Sequence, residues 1–114
     1  MNGSKIIVSG VKNKQDAILA TGFPAKADLS SKGIDNFARN VRLYKKLRFI
    51  GSAALSLAYV AAGRFDAYTE RDIMFWDVAG GVALVEAAGG KVIMEKASRI
   101  NGYHVFACNG NFSM

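Results

Sequence analysis

The sequence has little cysteine and no apolar run long enough to cross a membrane. Its single cysteine, Cys108, has no second thiol with which to form an internal disulfide, and its apolar neighbours predict a buried position in a strand. The stretch from Ala53 to Ala62 is interrupted by Ser56 and is shorter than the roughly 18 residues that span a bilayer. The first residues show no signal-peptide pattern. We therefore expect a cytoplasmic protein with no membrane partner.

Neither repeats nor low-complexity segments divide the 114 residues, of which 51% are hydrophobic. A chain of this length and composition is near the usual size of a domain and can bury a core. We expect a single α/β domain spanning residues 1–114. Histidine is as scarce as cysteine, and the place of His104, the only histidine, in a predicted apolar strand favours a structural role.

Acidic residues are in the minority, and the net charge is +6. Most of the excess lies in a segment where basic and apolar residues interleave, and its basic residues are Arg39, Arg42, Lys45, Lys46 and Arg48. Such a segment is typical of an amphipathic helix with a solvated basic face. The sequence has no recognisable nucleic-acid-binding module and no aromatic stacking array beside this charge, so a nucleic-acid partner is not expected.

Hydrophobic patterns, glycines and capping residues predict alternating strands and helices. The predicted strands are Lys5–Ser9, Ala17–Thr21, Arg48–Ile50, Phe65–Thr69, Lys91–Met94 and Tyr103–Cys108. The predicted helices run from Ser30-Ser31 to about Lys45, from Ser52 to Gly63, and from Phe75 or Trp76 to about Ala88. This alternation predicts a layered α/β domain in which helices flank a largely buried sheet.

Asp77 stands where an irregular segment turns into a helix of small residues, and Gly89-Gly90 stands where that helix ends. A helix start concentrates unpaired backbone N–H groups and the positive end of the helix dipole, which suit a carboxylate, an anion or a metal held between the two. The simplest interpretation of Asp77 is an N-cap, which stabilises a helix by about 1 kcal/mol. A metal-ligand role is the alternative.

A second candidate region is formed by Gly51, Ser52 and Ala53, where a predicted strand passes into a helix. Ligands of α/β sheets commonly bind at such places, off the carboxyl ends of strands. Glu70 follows a predicted strand, and the loop between it and Asp77 can bring both acids to one edge of the sheet. Solvated surface acids and small residues packed closely on a sheet are the alternative interpretations.

The stretch Trp76-Asp77-Val78-Ala79-Gly80, preceded in order by Gly51 to Arg64 and Phe65 to Glu70, resembles the C-terminal half of the inositol monophosphatase family. The resemblance extends from about Asn2 to Asn109 and implies the C-terminal domain of that family's fold. The family's Asp-x-Ile/Leu-Asp-Gly-Thr segment and paired glutamates, which hold the first metal and activate water, are absent from this sequence. The resemblance therefore implies half of an enzyme, completed by a missing N-terminal half or by a partner chain.

The resemblance also implies roles for the candidate residues. Glu70 would accept hydrogen bonds from substrate hydroxyls, and Asp77 would coordinate Mg²⁺, a hard cation that prefers oxygen ligands. The residues that bind the alcohol side of the substrate would be Gly51, Ser52 and Ala53. No catalytic, water-activating residue is assigned to this chain. The implied substrate is a small-molecule phosphate ester.

Three positions depart from the family pattern, namely Ser56, Thr69 and Gly81, and none of them is a proposed ligand. The sequence also stops before the family's closing helix. We expect the apolar sheet surface left uncovered to favour a homo-oligomer or docking of the missing half.

Three functions from different classes follow. The favoured one is a magnesium-dependent phosphomonoesterase, a hydrolase acting on a sugar-alcohol or nucleotide phosphate, and activity of this chain alone is not implied. The second is a non-catalytic binding or dimerisation module of the same fold. The third is a basic nucleic-acid-binding domain, whose phosphate contacts would weaken steeply with added salt.

Overall fold

The computed structural model of the protein describes residues 6–22, 31–97 and 100–112. These residues form a sheet of five strands flanked by helices. In chain order its elements are a 3₁₀ turn (Lys14–Asp16), β1 (Ile18–Thr21), α1 (Ser31–Leu43), β2 (Lys46–Arg48), α2 (Ala53–Ala61), β3 (Ala67–Met74), α3 (Phe75–Ala87), β4 (Lys91–Lys96) and β5 (Gly102–Cys108). The predicted class, an α/β layer arrangement with helices flanking the sheet, is confirmed.

The strands lie side by side in the order β2, β1, β3, β5, β4. β1 pairs in parallel with β2 and β3, and Leu19 lies opposite Leu47 on one side and Ala67 on the other. β5 runs antiparallel between β3 and β4. The carboxyl end of β1 reaches the middle of β3, where Thr21 pairs with Thr69. This junction borders the candidate site.

Both faces of the sheet bury apolar side chains, as expected for strands that are covered on both sides. On one face α2 and α3 pack against the strands, and the fully buried residues there include Leu57, Val60, Tyr68, Val78, Val85 and Val105. The cluster on the other face consists of Ala17, Leu19, Tyr44, Ala67, Phe106, Cys108 and Phe112. Cys108 is fully buried in β5, which confirms the prediction for the single cysteine.

The predicted ends of the helix α2 are confirmed. Ser52 is its N-cap, and the Ser52 side chain accepts a hydrogen bond of 3.1 Å from the backbone N–H of Leu55. Gly63 follows the last turn with a φ of 77°, the left-handed geometry that favours glycine. None of the described helices combines the length and apolar character that crossing a membrane requires.

Two strand predictions near the edge of the sheet are wrong. Residues 6–9 form no strand, because the Val8 N–H donates to a carbonyl at the end of α3 rather than to a neighbouring strand. The predicted buried strand Arg48–Ile50 is replaced by β2, which begins two residues earlier and is largely exposed. Its basic residues suit an edge strand, where charge blocks further pairing. The predicted helix start at Ser30 lies outside the described residues.

The strand after α2 is longer than predicted. β3 does not end at Thr69 but continues to Met74, because its second half pairs with β5. The connection from Glu70 to α3 is therefore a strand rather than the predicted loop, and α3 begins directly where β3 ends.

Candidate functional site

An open cavity of about 530 Å³ lies beside the carboxyl end of β1 and the middle of β3. The sequence-predicted site residues, Gly51, Ser52, Ala53, Glu70 and Asp77, all line it. Other lining residues that the sequence did not single out include Thr21, Gly22, Ser56 and Ile73. The structure thus brings the two predicted regions together, and the functional roles of their residues stay predictions.

The chain leaves β2 and enters α2 through a corner formed by Gly51, Ser52 and Ala53. Gly51 has a φ of 79°, which glycine adopts without the steric cost of a side chain. Ser52 accepts the capping bond from the Leu55 N–H through its hydroxyl oxygen, so the hydroxyl hydrogen can still be donated. The first turn of α2, which has backbone N–H groups without partners inside the helix, also lies at the cavity wall.

Glu70 is held at the cavity wall by its neighbours. The Tyr68 hydroxyl donates a hydrogen bond of 2.7 Å to Oε1 of Glu70. Burial, and then the charge of Glu70 and this hydrogen bond, raise the pKa of Tyr68 well above its usual value, so the phenol remains a donor. On the other side, a Cβ atom added to Gly22 would come within 2.7 Å of the Glu70 carboxylate. Gly22 therefore leaves the space that the carboxylate occupies.

An irregularity in β3 orients the residues between Glu70 and α3. The pairing with β5 shifts register between Glu70 and Ile73, which is the signature of a β-bulge. Side chains two apart share a face of a regular strand, but here Glu70 and Ile73, three apart, both line the cavity. The bulge contains Asp72 with a φ of 55°, and its N–H donates to Nδ1 of His104 at 3.0 Å.

Asp77 is not the N-cap that the simplest interpretation predicted. The helix α3 begins at Phe75, its N-cap is Met74, and Asp77 occupies the first turn. The side chain of Asp77 is exposed and borders the cavity. A carboxylate in a first turn interacts favourably with the helix dipole, yet its oxygens here remain accessible to a ligand.

Among the described residues, the cavity carries negative charge and no opposing cation. Among its lining residues Glu70 and Asp77 are acidic, and none is lysine, arginine or histidine. In the ranges that the structure describes, no group of three or more His, Cys, Asp or Glu side chains could hold a metal ion. The site can therefore contribute oxygen ligands to a hard cation, but it does not complete a coordination sphere from the described residues.

The comparisons with known proteins agree with this fold and with the predicted resemblance. The model of the inositol monophosphatase family matches residues 1–109. The chain is 39% identical to the Nus factor SuhB of Pseudomonas aeruginosa, over 97% of this chain and 40% of that protein. It is 38% identical to an inositol-1-monophosphatase of Caulobacter vibrioides, over 77% of this chain and 35% of that protein. The chain thus spans about two fifths of the length of these relatives.

A solved structure shows the same architecture. The inositol monophosphatase from Anabaena superposes with a TM-score of 0.82 and 38% sequence identity, over 96% of this chain and 45% of that one. SuhB from Mycobacterium tuberculosis superposes with a TM-score of 0.80 and 36% identity, over 93% of this chain and 41% of that one. From its sequence and its fold alike, the chain belongs to the inositol monophosphatase family.

Proposed function

We propose that this chain supplies the substrate-binding side of a magnesium-dependent phosphomonoesterase, which hydrolyses a sugar-alcohol or nucleotide phosphate. The observation that carries the proposal is the single cavity shared by Asp77, Glu70 and the corner at Gly51, Ser52 and Ala53. Membership of the family and relatives named inositol-1-monophosphatase support the phosphatase class. We further propose that the chain folds as one domain and acts in the cytoplasm.

Glu70 and the α2 corner suit the alcohol part of such a substrate. Oε1 of Glu70 is engaged by Tyr68, which leaves Oε2 as an acceptor for substrate hydroxyl groups. At the corner, the Ser52 hydroxyl and the backbone N–H groups around Ala53 offer donors. A polyol that presents both donors and acceptors matches this combination.

Asp77 fits one ligand position of a magnesium site. Its carboxylate is exposed at the cavity, and carboxylate oxygens are ligands that Mg²⁺ prefers. A single carboxylate binds Mg²⁺ weakly, so the remaining ligands would come from a missing N-terminal half or a partner chain. A bound Mg²⁺ would stabilise negative charge on the phosphate and on the leaving alkoxide. Asp77 would then hold the positive charge of the cation next to the alcohol bound by Glu70.

The outer surfaces of α2 and α3 support the need for a partner. Both helices are apolar around most of their circumference, and such helices are usually buried on all sides. Large apolar side chains at their first turns are exposed, with Leu55 at 41%, Phe75 at 47% and Trp76 at 64%. We propose that the ligand-bearing half docks here, and that without it the chain associates with itself.

A chimera tests the phosphatase proposal. In the Anabaena inositol monophosphatase, the segment that matches this chain is replaced by residues 1–109, and phosphate release from an inositol monophosphate is measured in Mg²⁺. The chimera should be active, and Asp77→Asn should lower kcat/KM by about a hundredfold or more. Glu70→Gln should raise KM more than it lowers kcat, because Glu70 is proposed to hold the alcohol.

Glu86→Gln is the matched control for these variants. Glu86 is an exposed acid on α3 that does not line the cavity, so its loss should change activity by less than about twofold. If Glu86→Gln and Asp77→Asn had equal effects, or if a folded chimera released no phosphate, the proposal would be wrong.

A second candidate function is a non-catalytic binding module of the same fold. Its support is that several relatives carry the name Nus factor SuhB rather than the name of a phosphatase. This function predicts an inactive but folded chimera. It also predicts that Asp77→Asn leaves self-association of this chain, measured by sedimentation, unchanged.

A further inference from the structure

A second cavity, of about 370 Å³, lies on the other face of the sheet from the candidate site. On β3, Glu70 lines the candidate site while its neighbours Thr69 and Arg71 line this outer cavity, as the alternation of side chains in a strand requires. Its charged and polar lining includes Lys14, Asn36, Arg39, Arg71, Glu95 and His104. Neither the family resemblance nor the proposed phosphatase site assigns a role to these residues.

The two cavities carry opposite charge. In the part of the chain that the structure describes, the outer cavity is lined by three cationic side chains, those of Lys14, Arg39 and Arg71, and by one carboxylate, that of Glu95. The described lining of the candidate site carries two carboxylates and no cation. A concave surface between low-dielectric walls concentrates the field of its charges, so an anion in the absence of metal should enter the outer cavity.

Neutral donors supplement the cations of the outer cavity. His104 Nδ1 accepts the Asp72 N–H at 3.0 Å, so in the neutral ring the hydrogen lies on Nε2, which can donate to a ligand. Asn36 contributes an amide that can donate as well. The Lys14 ammonium lies 5.8 Å from the centre of the Tyr44 ring, a cation–π distance that keeps it at the cavity wall.

We propose that the outer cavity binds a small polyanion that carries two or more phosphate groups, independently of the phosphatase site. Three cations against one carboxylate among the described lining residues leave more than one positive charge to be neutralised, which favours a polyanion over a single phosphate. The guanidinium groups of Arg39 and Arg71 can each bind phosphate oxygens in a bidentate manner. The volume falls in the range of about 300 to 1,000 Å³ that is typical of small-molecule sites.

Calorimetric titration of the whole chain with inorganic pyrophosphate tests this inference. The buffer is freed of metal without a chelator, since chelators are themselves polyanions. Wild type should bind pyrophosphate saturably, with one site per chain. The double variant Arg39→Gln, Arg71→Gln should weaken binding by about tenfold or more, because it removes two groups that donate charge-assisted hydrogen bonds to phosphate. Both arginines are exposed, so folding should survive.

The matched control is the double variant Arg42→Gln, Lys91→Gln. It removes the same charge from exposed positions on α1 and β4 that do not line the cavity, and binding should change by less than about twofold. Equal weakening by both double variants would mean diffuse attraction to a basic surface and would overturn the inference. The absence of saturable binding by wild type would overturn it too.

Two further measurements locate the bound anion. Asp77→Asn should leave pyrophosphate affinity unchanged or slightly higher, whereas loss of binding would place the anion in the candidate site and refute a separate outer site. In a nuclear magnetic resonance titration, the Asp72 amide and the His104 ring should shift with the same affinity as the calorimetric signal. Binding of single-stranded RNA is measured as well. If RNA binds tightly, and if the Arg42→Gln, Lys91→Gln variant weakens RNA binding and pyrophosphate binding to the same extent, the inference is overturned in favour of a nucleic-acid-binding surface.

Discussion

Tyr68 and Glu70 are joined by a hydrogen bond of 2.7 Å from the phenol hydroxyl to the carboxylate. Tyr68 is 1% exposed and belongs to the core under α2 and α3, whereas Glu70 borders the open cavity. The bond therefore ties a candidate substrate-binding carboxylate to the packed core of the fold. A binding group that is already held by a packed neighbour loses less conformational entropy when a ligand binds.

Replacing Tyr68 by phenylalanine tests this connection. Tyr68→Phe removes the hydroxyl and should lower the free energy of unfolding by about 1 to 2 kcal/mol, since the half-buried carboxylate loses a donor. Urea unfolding of the isolated chain measures the loss. Tyr59→Phe, at a half-buried ring that contacts Phe65 edge to face, is the control and should change stability by less than about 0.5 kcal/mol. Equal losses in the two variants would show that the Tyr68 bond contributes nothing specific.

Ser52 combines a structural and a proposed functional role, and two substitutions separate them. Ser52→Ala removes the acceptor for the Leu55 N–H and should destabilise the chain by about 1 kcal/mol. Ser52→Asp keeps a capping acceptor and should retain wild-type stability, while its negative charge should oppose a phosphate ester in the chimera. Thermal unfolding and the KM of the chimera report the two effects. A stable Ser52→Ala variant would contradict the capping role.

Much of the site could be predicted from the sequence because its signals are local. Three local sequence signals do not depend on distant contacts. They are Ser52 before a helix, Gly63 after that helix, and the acid Asp77 beside small residues. The resemblance to the family then predicted that the corner at Gly51 and Glu70 belong to one site, and both line the cavity. These positions needed no knowledge of strand order.

The parts that sequence did not reveal depend on pairing between distant segments. β3 extends to Met74 only because Gly102 of β5 lies opposite it, and nothing near residue 74 encodes that partner. In the bulge, the Asp72 N–H donates a hydrogen bond to His104, and this bond fits the predicted structural role of His104. Asp tolerates a positive φ better than most residues, which is the one local hint of this bulge.

The contact between α2 and α3 gives opposite predictions for two adjacent glycines. A Cβ atom on Gly81 would lie 2.5 Å from Cβ of Leu57, so Gly81→Ala should destabilise the chain by about 1 to 3 kcal/mol through overpacking. Gly80 is exposed, and its added Cβ would meet nothing within 4 Å. Gly80→Ala should therefore stabilise by up to about 1 kcal/mol through helix propensity. Urea denaturation measures the free energy of unfolding of both variants. If Gly81→Ala were stabilising, α2 and α3 would be able to move apart at little cost, contrary to the expected overpacking.

Stability should fall at alkaline pH, and Tyr44 should account for part of the loss. Burial, reinforced by the charge of Cys108 and opposed by that of Arg39, raises the pKa of Tyr44 to about 12. Because the folded state holds this proton more tightly than the unfolded chain, whose tyrosines ionise near pH 10, the contribution is complete below about pH 10 and is lost as pH rises towards 12.

Tyr44→Phe removes this titration. The free energy of unfolding of wild type and variant is compared at neutral pH and at about pH 11, where the unfolded tyrosine is mostly ionised. Wild type should lose more stability over this interval than the variant, by about 1 to 2 kcal/mol, because only wild type releases a proton from residue 44 on unfolding. The comparison at neutral pH is the control, since it carries any change in packing of the ring against Phe112. Parallel losses in the two proteins would mean that Tyr44 ionises as easily in the fold as in the unfolded chain.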